Sequence, residues 1–385
     1  MDFSFNADQR ALRDQIIKFA RKELNHDVVE RDAAKTFPRD LWLKCGDMGL
    51  QGLTVPEEFG GANLDSLTTA IAIEALGYGC EDSGLVFAVC AHLLACVTPI
   101  WKYGTQEQKE RYLPDLCSGR RIAVNAMTEP ESGSDAFNMR TRARRDGDDY
   151  IINGVKTFSS NGPIADVAVV YARTDDTKGY LGGITGFLVD KGTPGFMPGQ
   201  AFDKSALRTC PIGELVFEDV RVPESAIIGK VGAGGPIFNQ SMEWERTCLV
   251  AAHLGKMERL LEKSIDYAKT RSSFGKLIGQ NQAVSHRIVD MKVRLEAARL
   301  LTYRAAMRLE TSKAVGLDAS MAKLFTSEAL LETAIDTVRV LGGYGLMTEY
   351  GAERALRDAM AGTIYSGTND MQRNIIAGWL GLSSM

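Results

Sequence analysis

The chain has 385 residues, of which 45% are hydrophobic and 24% charged, with a formal net charge of -4 and a pI of about 5.8. This length predicts two or three domains, and the slight acidity argues against a nucleic-acid-binding protein, which would need a basic face. Seven scattered cysteines predict reduced thiols, and four well-separated histidines predict no metal site. The first residues lack a basic stretch followed by an apolar run, which predicts a cytoplasmic protein without a membrane span.

The first 120 residues carry the pattern of an α-helical domain. Apolar residues recur at helical spacing in segments that begin near residues 7, 41, 67, 83 and 105. Pro114 is expected to end the last of these helices, because proline cannot donate a backbone hydrogen bond. His92 lies in the most apolar segment, which favours a hydrogen-bonded core histidine.

Residues 121–232 have a different pattern, in which short β-branched and aromatic runs alternate with turns. The runs lie at 122–126, 150–152, 166–171, 186–190 and 214–217. Residues 139–145 alternate arginine with smaller residues, which indicates a strand with one face in solvent. Because no helix-length segment intervenes, we expect an all-β barrel or sandwich rather than a dinucleotide-binding βαβ unit.

Residues 233–385 again carry helical patterns, at 236–271, 280–310, 317–341 and 349–360, followed by a short helix from Asp370. They predict a C-terminal domain built on a four-helix bundle. The whole chain is therefore an α+β protein with predicted domains at 1–120, 121–232 and 233–385.

One carboxylate stands at the mouth of a segment whose faces are all apolar. Glu245 precedes that segment in the long helix 236–271, and burial would raise its pKa towards the range of a general base. The alternative is that Glu245 only pairs with a neighbouring arginine.

Three stretches could approach a cofactor. The loop at 128–135 (TEPESGSD) is dense in hydroxyls, Arg271 offers a guanidinium to a pyrophosphate, and Gly342-Gly343 permits close backbone approach. The glycines at 232–235 lack the G-x-G-x-x-G spacing of a nicotinamide site and predict a turn that enters a helix.

Taken in order, these motifs resemble the acyl-CoA dehydrogenase family. The matching strings are TEPESGSD at 128–135, Arg271-x-x-Phe274-Gly275, Gln282, LGGYG at 341–345 and SGTNDMQ at 366–372. The resemblance covers essentially the whole chain. It implies the three-domain fold of that family, FAD as the cofactor and oxidation of an acyl thioester at a CH–CH bond.

The resemblance also implies roles for individual residues. The isoalloxazine ring would be held by Asn125, Met127, Thr128, Gly133, Ser134, Phe158, Ser159 and Ser160. The pyrophosphate and adenine would be reached, partly from a neighbouring subunit, by Arg271, Phe274, Gln282, Arg339, Gly342 and Gly343. Thr368 and Asp370 would close the site, and the protein would be a homo-oligomer, expected to be a tetramer. Two positions depart from the family pattern: Phe158 replaces a frequent tryptophan, and Arg339 a common glutamine.

The family places its catalytic base at either of two positions. Ser366 occupies the commoner one, and a serine cannot deprotonate a carbon acid unaided. The other falls on the long helix before an arginine, where this chain has Glu245 before Arg246. The resemblance therefore implies that Glu245 takes the α-proton while a hydride leaves the β-carbon for the flavin. A backbone N–H and the ribityl hydroxyl would hold the enolate charge. A non-catalytic flavoprotein scaffold is the alternative that Ser366 alone would suggest.

Shorter strings around His92, Pro163, Trp244 and Ser366 resemble the prolyl-carrier-protein dehydrogenases, which oxidise a prolyl thioester on a peptidyl carrier in natural-product biosynthesis. The implied substrate contacts are Ser134, Trp244, Arg246, Ser366 and Gly367. The implied partner is an acidic carrier protein with a phosphopantetheine arm, and the electron acceptor is dioxygen or an electron-transfer flavoprotein. The alternative is an isovaleryl- or butyryl-CoA dehydrogenase.

A carrier of this kind should dock on a basic surface. One candidate patch consists of Arg140, Arg142, Arg144 and Arg145, unless these arginines only line a solvated strand.

Overall fold

The structure is a computed structural model that describes residues 4–312 and 315–382, so the predicted outer limits at residues 1 and 385 lie outside the described residues. The N-terminal region is helical. Its α-helices are α1 (Ala7–Glu23), α2 (Val28–Ala34), α3 (Arg39–Asp47), α4 (Ser66–Gly79), α5 (Ser83–His92), α6 (Thr98–Tyr103) and α7 (Gln106–Cys117).

A π-helical turn, Leu93–Val97, joins α5 to α6 and gives one long helix over Ser83–Tyr103. This is the one described segment that is long and apolar enough to cross a membrane, with a mean hydropathy of 1.9. Because 83% of its most apolar window is buried inside the fold, its hydrophobicity is that of a core helix. His92 is a core histidine as predicted: its ring nitrogens bond the Leu116 carbonyl and the Ala123 N–H, and burial lowers its pKa to about 4.

The predicted end of a helix at Pro114 is wrong, because α7 continues to Cys117. A proline near the last turn costs a helix one N–H donor, and the Pro114 carbonyl still accepts from the Ser118 backbone and hydroxyl. Helix α2 was not predicted, since its seven residues are too few to show a period.

The middle region contains β1 (Ala123–Ala126), β2 (Arg142–Asp146), β3 (Asp149–Ser160), β4 (Val167–Arg173), β5 (Ile184–Asp190), β6 (Phe196–Ala201), β7 (Ile212–Pro223) and β8 (Ile227–Ile228). The sheet order is β6-β7-β3-β2-β4-β5-β8, with β1 parallel to β4. Strand β6 was not predicted because it contains Pro198 and Gly199 and lies mostly in solvent. Strand β2 shows the predicted solvated face, with Ala143 buried between exposed arginines.

Strand β4 is buried on both faces, which ties the sheet to the helices. Val170 and its alternate neighbours pack in the sheet's own core, whereas Val169 and Tyr171 pack in the large core that includes the helices. A strand covered on both sides has no polar alternation, as observed here.

The C-terminal helices are α8 (Gly234–Trp244), α9 (Ala251–Thr270), α10 (Gln282–Arg308), α11 (Val315–Leu341), α12 (Ala352–Gly362) and α13 (Asn369–Trp379), with a small unpredicted hairpin of β9 (Ser272–Ser273) and β10 (Lys276–Leu277). Helix α8 begins at Gly234, so the glycines at 232–235 form the predicted helix-entry turn. Helices α9, α10 and α11 pack on one another, and α12 and α13 pack on α11. The predicted α+β class is confirmed: a central sheet domain lies between helical regions.

Helix α9 is fixed against α4 by two glycines. A Cβ on Gly77 would lie 2.2 Å from the Ala252 carbonyl oxygen, and one on Gly255 would lie 2.1 Å from that of Glu74. Only glycine allows so close an approach of two helices. The contact holds α9, and the turn that precedes it, in one place relative to the N-terminal helices.

Candidate active site

Glu245 is the first residue of a π-helical turn, Glu245–Leu249, that interrupts the long helix between α8 and α9. Such turns occur often at functional sites because they change the direction of side chains along a helix. This turn contacts the other π-helical turn, Leu93–Val97. The Glu245 carboxylate is therefore placed where three elements of the core meet, since β4 also packs there through Tyr171.

Among the residues that the structure describes, one hydrogen bond holds the Glu245 carboxylate. Its Oε2 accepts from the Ser366 hydroxyl at 2.7 Å, and the residue is only 8% exposed. Burial raises the pKa of Glu245 to about 7, although the Ser366 bond and the charge of Arg246 act in the opposite direction. A carboxyl that titrates near neutrality is suited to accept a proton as a general base.

The alternative interpretation, that Glu245 pairs with a neighbouring arginine, is wrong. Within residues 4–312 and 315–382, no cation lies within 4.0 Å of its carboxylate. The adjacent Arg246 instead donates from Nε to the Ser366 carbonyl at 3.0 Å. In the described part of the chain, the negative charge of Glu245 thus has no ion-pair partner inside the core. Burying such a charge costs free energy, so packing alone does not explain why a glutamate stands here.

The loop that carries Ser366 has an unusual backbone. Ser366 has φ +55° and Gly367 φ +86°, and a Cβ on Gly367 would lie 2.8 Å from the Gln372 side-chain nitrogen. That nitrogen donates to the Gly367 carbonyl at 2.8 Å, and the Thr368 hydroxyl caps α13 by accepting from the Met371 N–H. The loop therefore brings Ser366 and Gly367 close to Glu245 and Arg246. The contact of Arg246, Ser366 and Gly367 with a substrate stays a prediction.

Two other predicted residues do not join this group. Asp370 is exposed and pairs with Arg373 at the start of α13. The Trp244 indole is buried in the core, with the Lys102 ammonium 4.6 Å from the ring centre. Its contact with a substrate stays a prediction that this packing does not favour.

The residues predicted to hold a flavin ring gather at one edge of the sheet. Asn125 is the second-last residue of β1, and Met127 and Thr128 follow the strand. Phe158, Ser159 and Ser160 lie at the end of β3, and the Thr157 N–H of that strand donates to the Thr128 carbonyl at 2.8 Å. Asn125 Oδ1 and Ser159 Oγ are buried without a hydrogen-bond partner in the described part of the chain. Phe158 has φ +51° and a side chain that is 66% exposed, and Gly133 and Ser134 are exposed too.

An internal ion pair, which the sequence analysis missed, fixes this loop. Lys156 is fully buried and donates to the Glu129 carboxylate and to the Met127 carbonyl, both at 2.9 Å. Glu129 also accepts from the Arg140 and Thr141 backbone N–H groups. A lysine in the interior of a strand, rather than at its end, was the signal that could have revealed it.

The predicted adenine-side residues lie elsewhere, at the far end of α9. Arg271, Gly342 and Gly343 line one shallow depression, and a Cβ on either glycine would meet nothing within 4 Å. Phe274, on the β9–β10 hairpin, is 99% exposed, and Gln282 at the start of α10 is exposed. Arg339 is exposed and faces Asp336 at 3.7 Å, so its guanidinium is partly committed to a neighbour.

The comparisons with known proteins agree with this architecture. Family models of the N-terminal, middle and C-terminal domains of acyl-CoA dehydrogenase match residues 6–120, 125–220 and 232–381. The fold and the buried carboxylate define an FAD-dependent oxidoreductase class that acts on CH–CH bonds, as predicted. The chain belongs to the acyl-CoA dehydrogenase family. The boundaries at 120 and 232, and the assigned site residues, stay predictions.

Three relatives within the family are similar to this chain over almost their whole length. The chain is 46% identical to an L-prolyl-[peptidyl-carrier protein] dehydrogenase of Pseudomonas fluorescens, over 98% of this chain and 99% of the relative. It is 44% identical to the protein of the same name from a Serratia species, over 99% of each. The solved structure described as "PigA with FAD and proline" has a TM-score of 0.97 and 44% identity, and covers 99% of this chain and 100% of its own. The predicted resemblance to prolyl-carrier-protein dehydrogenases is confirmed.

Proposed function

We propose that the protein oxidises an L-prolyl group held as a thioester on the phosphopantetheine arm of a peptidyl carrier protein, giving a pyrroline or pyrrole thioester. The observation that carries the reaction is the buried Glu245, which lacks an ion-pair partner and accepts a hydrogen bond from Ser366. The names of two relatives, each aligned over nearly its whole length, support the choice of substrate.

In this proposal Glu245 removes the proton from the α-carbon of the thioester. Its pKa of about 7 leaves much of the carboxylate ionised at neutral pH yet basic enough to take a proton. Ser366 donates to the same carboxylate and so orients it, while Arg246 and Gln372 hold the Ser366 carbonyl. The non-catalytic scaffold is disfavoured, because a scaffold gains nothing from a buried carboxylate without a counter-ion.

The residues of the middle domain fit the isoalloxazine of FAD. Asn125 and Ser159 supply buried oxygens without a hydrogen-bond partner among the described residues, and Phe158, next to Ser159 in the chain, presents an exposed ring. Met127, Thr128, Gly133, Ser134 and Ser160 complete the set on the same loop and strand ends. When bound, FAD would supply the hydride acceptor for the β-carbon.

We propose that the adenine-side residues serve the cofactor site of a neighbouring subunit. Glu245 lies in the π-helical turn that precedes α9, and Arg271 follows the last residue of α9. The two positions are 26 residues apart, and a helix of that length spans about 39 Å. A cofactor beside Glu245 of one chain would therefore meet Arg271, Phe274, Gln282, Gly342 and Gly343 of another chain. Exposed apolar side chains support this arrangement: Tyr344 and Met347 line the same depression as Arg271, and the exposed Phe274 follows Ser273 at its edge. Contiguous exposed apolar surface of this kind is typical of an interface. We propose a homo-oligomer, expected to be a tetramer.

The candidate docking patch on β2 is not a basic surface. Arg140 pairs with Glu131, Arg142 with Asp176, Arg144 with Asp146, and Arg145 with Glu224. Each positive charge thus has an acidic neighbour, and the arginines are those of a solvated strand. An acidic carrier protein remains the proposed partner, and it would dock on a surface that does not include these four arginines. We propose that the reaction takes place in the cytoplasm and that the electron acceptor is dioxygen or an electron-transfer flavoprotein.

The test is intact-protein mass spectrometry of a carrier loaded with L-proline after incubation with the enzyme. A mass loss of two or four hydrogens is expected, with no change on a carrier that bears an unloaded arm. Butyryl- and isovaleryl-CoA test the alternative, which the 39% identity to the human short-chain specific acyl-CoA dehydrogenase keeps open. An unchanged prolyl carrier together with rapid oxidation of either CoA thioester would overturn the proposed substrate.

A further inference from the structure

Tyr365, the residue before Ser366, is clamped between two side chains. Its hydroxyl bonds His253 Nε2 at 2.5 Å, and its ring packs on Phe87 with the ring centres 4.7 Å apart. His253 is buried on α9, where Gly362 makes room for it: a Cβ on Gly362 would lie 2.7 Å from the imidazole. The imidazole is thus built into the core behind the active-site loop, although no step of the proposed reaction uses it.

Ser366 itself sits in a backbone conformation that serine adopts rarely. Its φ of +55° is the left-handed region, which costs free energy and persists only where the surroundings enforce it. Its carbonyl is fixed by Arg246 and Gln372, but these two contacts lie on the side of the loop that leads to α13. On the side that precedes Ser366, the Tyr365 N–H donates to the Ala361 carbonyl at 3.1 Å, and the Tyr365 side chain is held by His253 and Phe87.

We propose that His253 is a positioning residue: by holding Tyr365 it keeps Ser366 in its left-handed conformation, with the hydroxyl directed at Glu245. This inference rests on the proposed role of Glu245 as the base. The chain of contacts runs from His253 to the Tyr365 hydroxyl, through one peptide unit to Ser366, and then to the carboxylate. Loss of the imidazole would release the loop and weaken the one hydrogen bond that stabilises ionised Glu245.

The groups that surround Glu245 allow its titration to be measured. It is faced by Cys90 of α5, Cys96 of the neighbouring π-helical turn, Tyr171 of β4, and Tyr365 and Arg246. Burial raises the pKa of both thiols and both phenols far above neutrality, so they stay protonated. Burial, with Arg246 as a neighbour, lowers the pKa of Lys323 to about 7, so this amine must be distinguished from Glu245.

Lys256 and Lys323, which lie near His253, have pKa values lowered towards neutrality by burial, but the imidazole itself does not titrate near neutral pH. Burial, together with the nearby Lys256 and Lys323, lowers the pKa of His253 to about 3, so the imidazole is neutral at working pH. Lys256 pairs with Asp358 at 3.5 Å, and burial lowers the pKa of Lys256 to about 8. His253 therefore acts through geometry and not through a change in its own charge.

The experiment compares holoenzyme variants by two measurements: the pH dependence of kcat/KM and the infrared band of the protonated Glu245 carboxyl. The band that is lost in Glu245→Gln belongs to Glu245, which distinguishes its titration from that of the Lys323 amine. Ser366→Ala should move the titration to higher pH by about one pH unit, since it removes a hydrogen bond to a charged group. His253→Leu and Tyr365→Phe should move it in the same direction. His253→Gln, which can still bond the Tyr365 hydroxyl, should restore it.

Two further variants make the result decisive. The double variant His253→Leu/Ser366→Ala should titrate where Ser366→Ala does, because both changes act on one hydrogen bond. Ser264→Ala removes another buried polar group of α9, bonded to the Leu260 carbonyl, and should leave the titration where it is in the wild type. A His253→Leu protein that loses stability or activity while the Glu245 band titrates normally would overturn the inference. Wild-type turnover by Glu245→Gln would instead refute the proposed base.

Discussion

Glu245 and Arg246 are adjacent in the chain, yet their side chains do not form an ion pair: the guanidinium binds the Ser366 carbonyl while the carboxylate accepts from the Ser366 hydroxyl. One serine therefore separates the two charges and is bonded to both. This arrangement leaves the carboxylate with a pKa of about 7, where a paired carboxylate would titrate far lower.

The raised pKa of Glu245 predicts a specific dependence of stability on pH. Between pH 4.5 and about 7 the folded protein holds a proton that the unfolded chain has lost, so stability falls as the pH rises. The loss should reach about 3 kcal/mol and should be absent in Glu245→Gln. We therefore expect Glu245→Gln to gain in melting temperature relative to the wild type between about pH 5 and pH 8.

The matched control for this measurement is Glu107→Gln, the same chemical change on an exposed carboxylate of α7. It removes no buried carboxylate, so it should not reproduce the pH-dependent gain in melting temperature expected of Glu245→Gln. A constant difference between Glu245→Gln and the wild type would mean that Glu245 titrates in its ordinary range.

The buried pair of Lys156 and Glu129 predicts a separate effect on stability and flavin retention. Glu129→Gln leaves the Lys156 ammonium without its partner inside the sheet domain, which should cost about 3–5 kcal/mol and loosen the loop at 127–141. The variant should melt at lower temperature and lose FAD during gel filtration. Glu224→Gln, which breaks the exposed pair with Arg145, should do neither.

Arg271 should hold the cofactor from a neighbouring subunit. Arg271→Ala removes an exposed guanidinium and should release FAD on dilution, whereas Lys269→Ala, on the last turn of the same helix, should retain it. Flavin absorbance and sizing are measured together. A wild-type monomer that retains FAD at low concentration would contradict the shared site.

The sequence predicted those features of the structure whose signals lie within a short stretch of the chain. The long helices, the sheet region and Glu245 were predicted because hydrophobic period and motif are local properties of the chain. The π-helical turn at Glu245 was not, since its apolar pattern matches that of an α-helix. The pairing of Lys156 with Glu129 and of His253 with Tyr365 joins residues far apart in sequence, and no local pattern records such contacts.

The arginines on and beside β2 left two alternatives open in the sequence, a basic docking surface or a solvated strand. Two of the acidic partners that distinguish these alternatives, Asp176 and Glu224, are distant in sequence from the arginines that they pair with. Charge patterns therefore indicate which face is solvated and do not give its net charge.

The most direct test of the account is anaerobic stopped-flow reduction of the bound flavin by the prolyl-loaded carrier, with wild type and Glu245→Gln compared at neutral pH. Glutamine keeps the volume and the contact with Ser366 but cannot accept the α-proton, so flavin reduction should slow by about 10²–10⁴ with the bound flavin retained. Glu245→Asp should recover part of the rate, because a carboxylate is restored at a longer distance. Rapid bleaching of the flavin in Glu245→Gln, close to the wild-type rate, would contradict the assignment of Glu245 as the base.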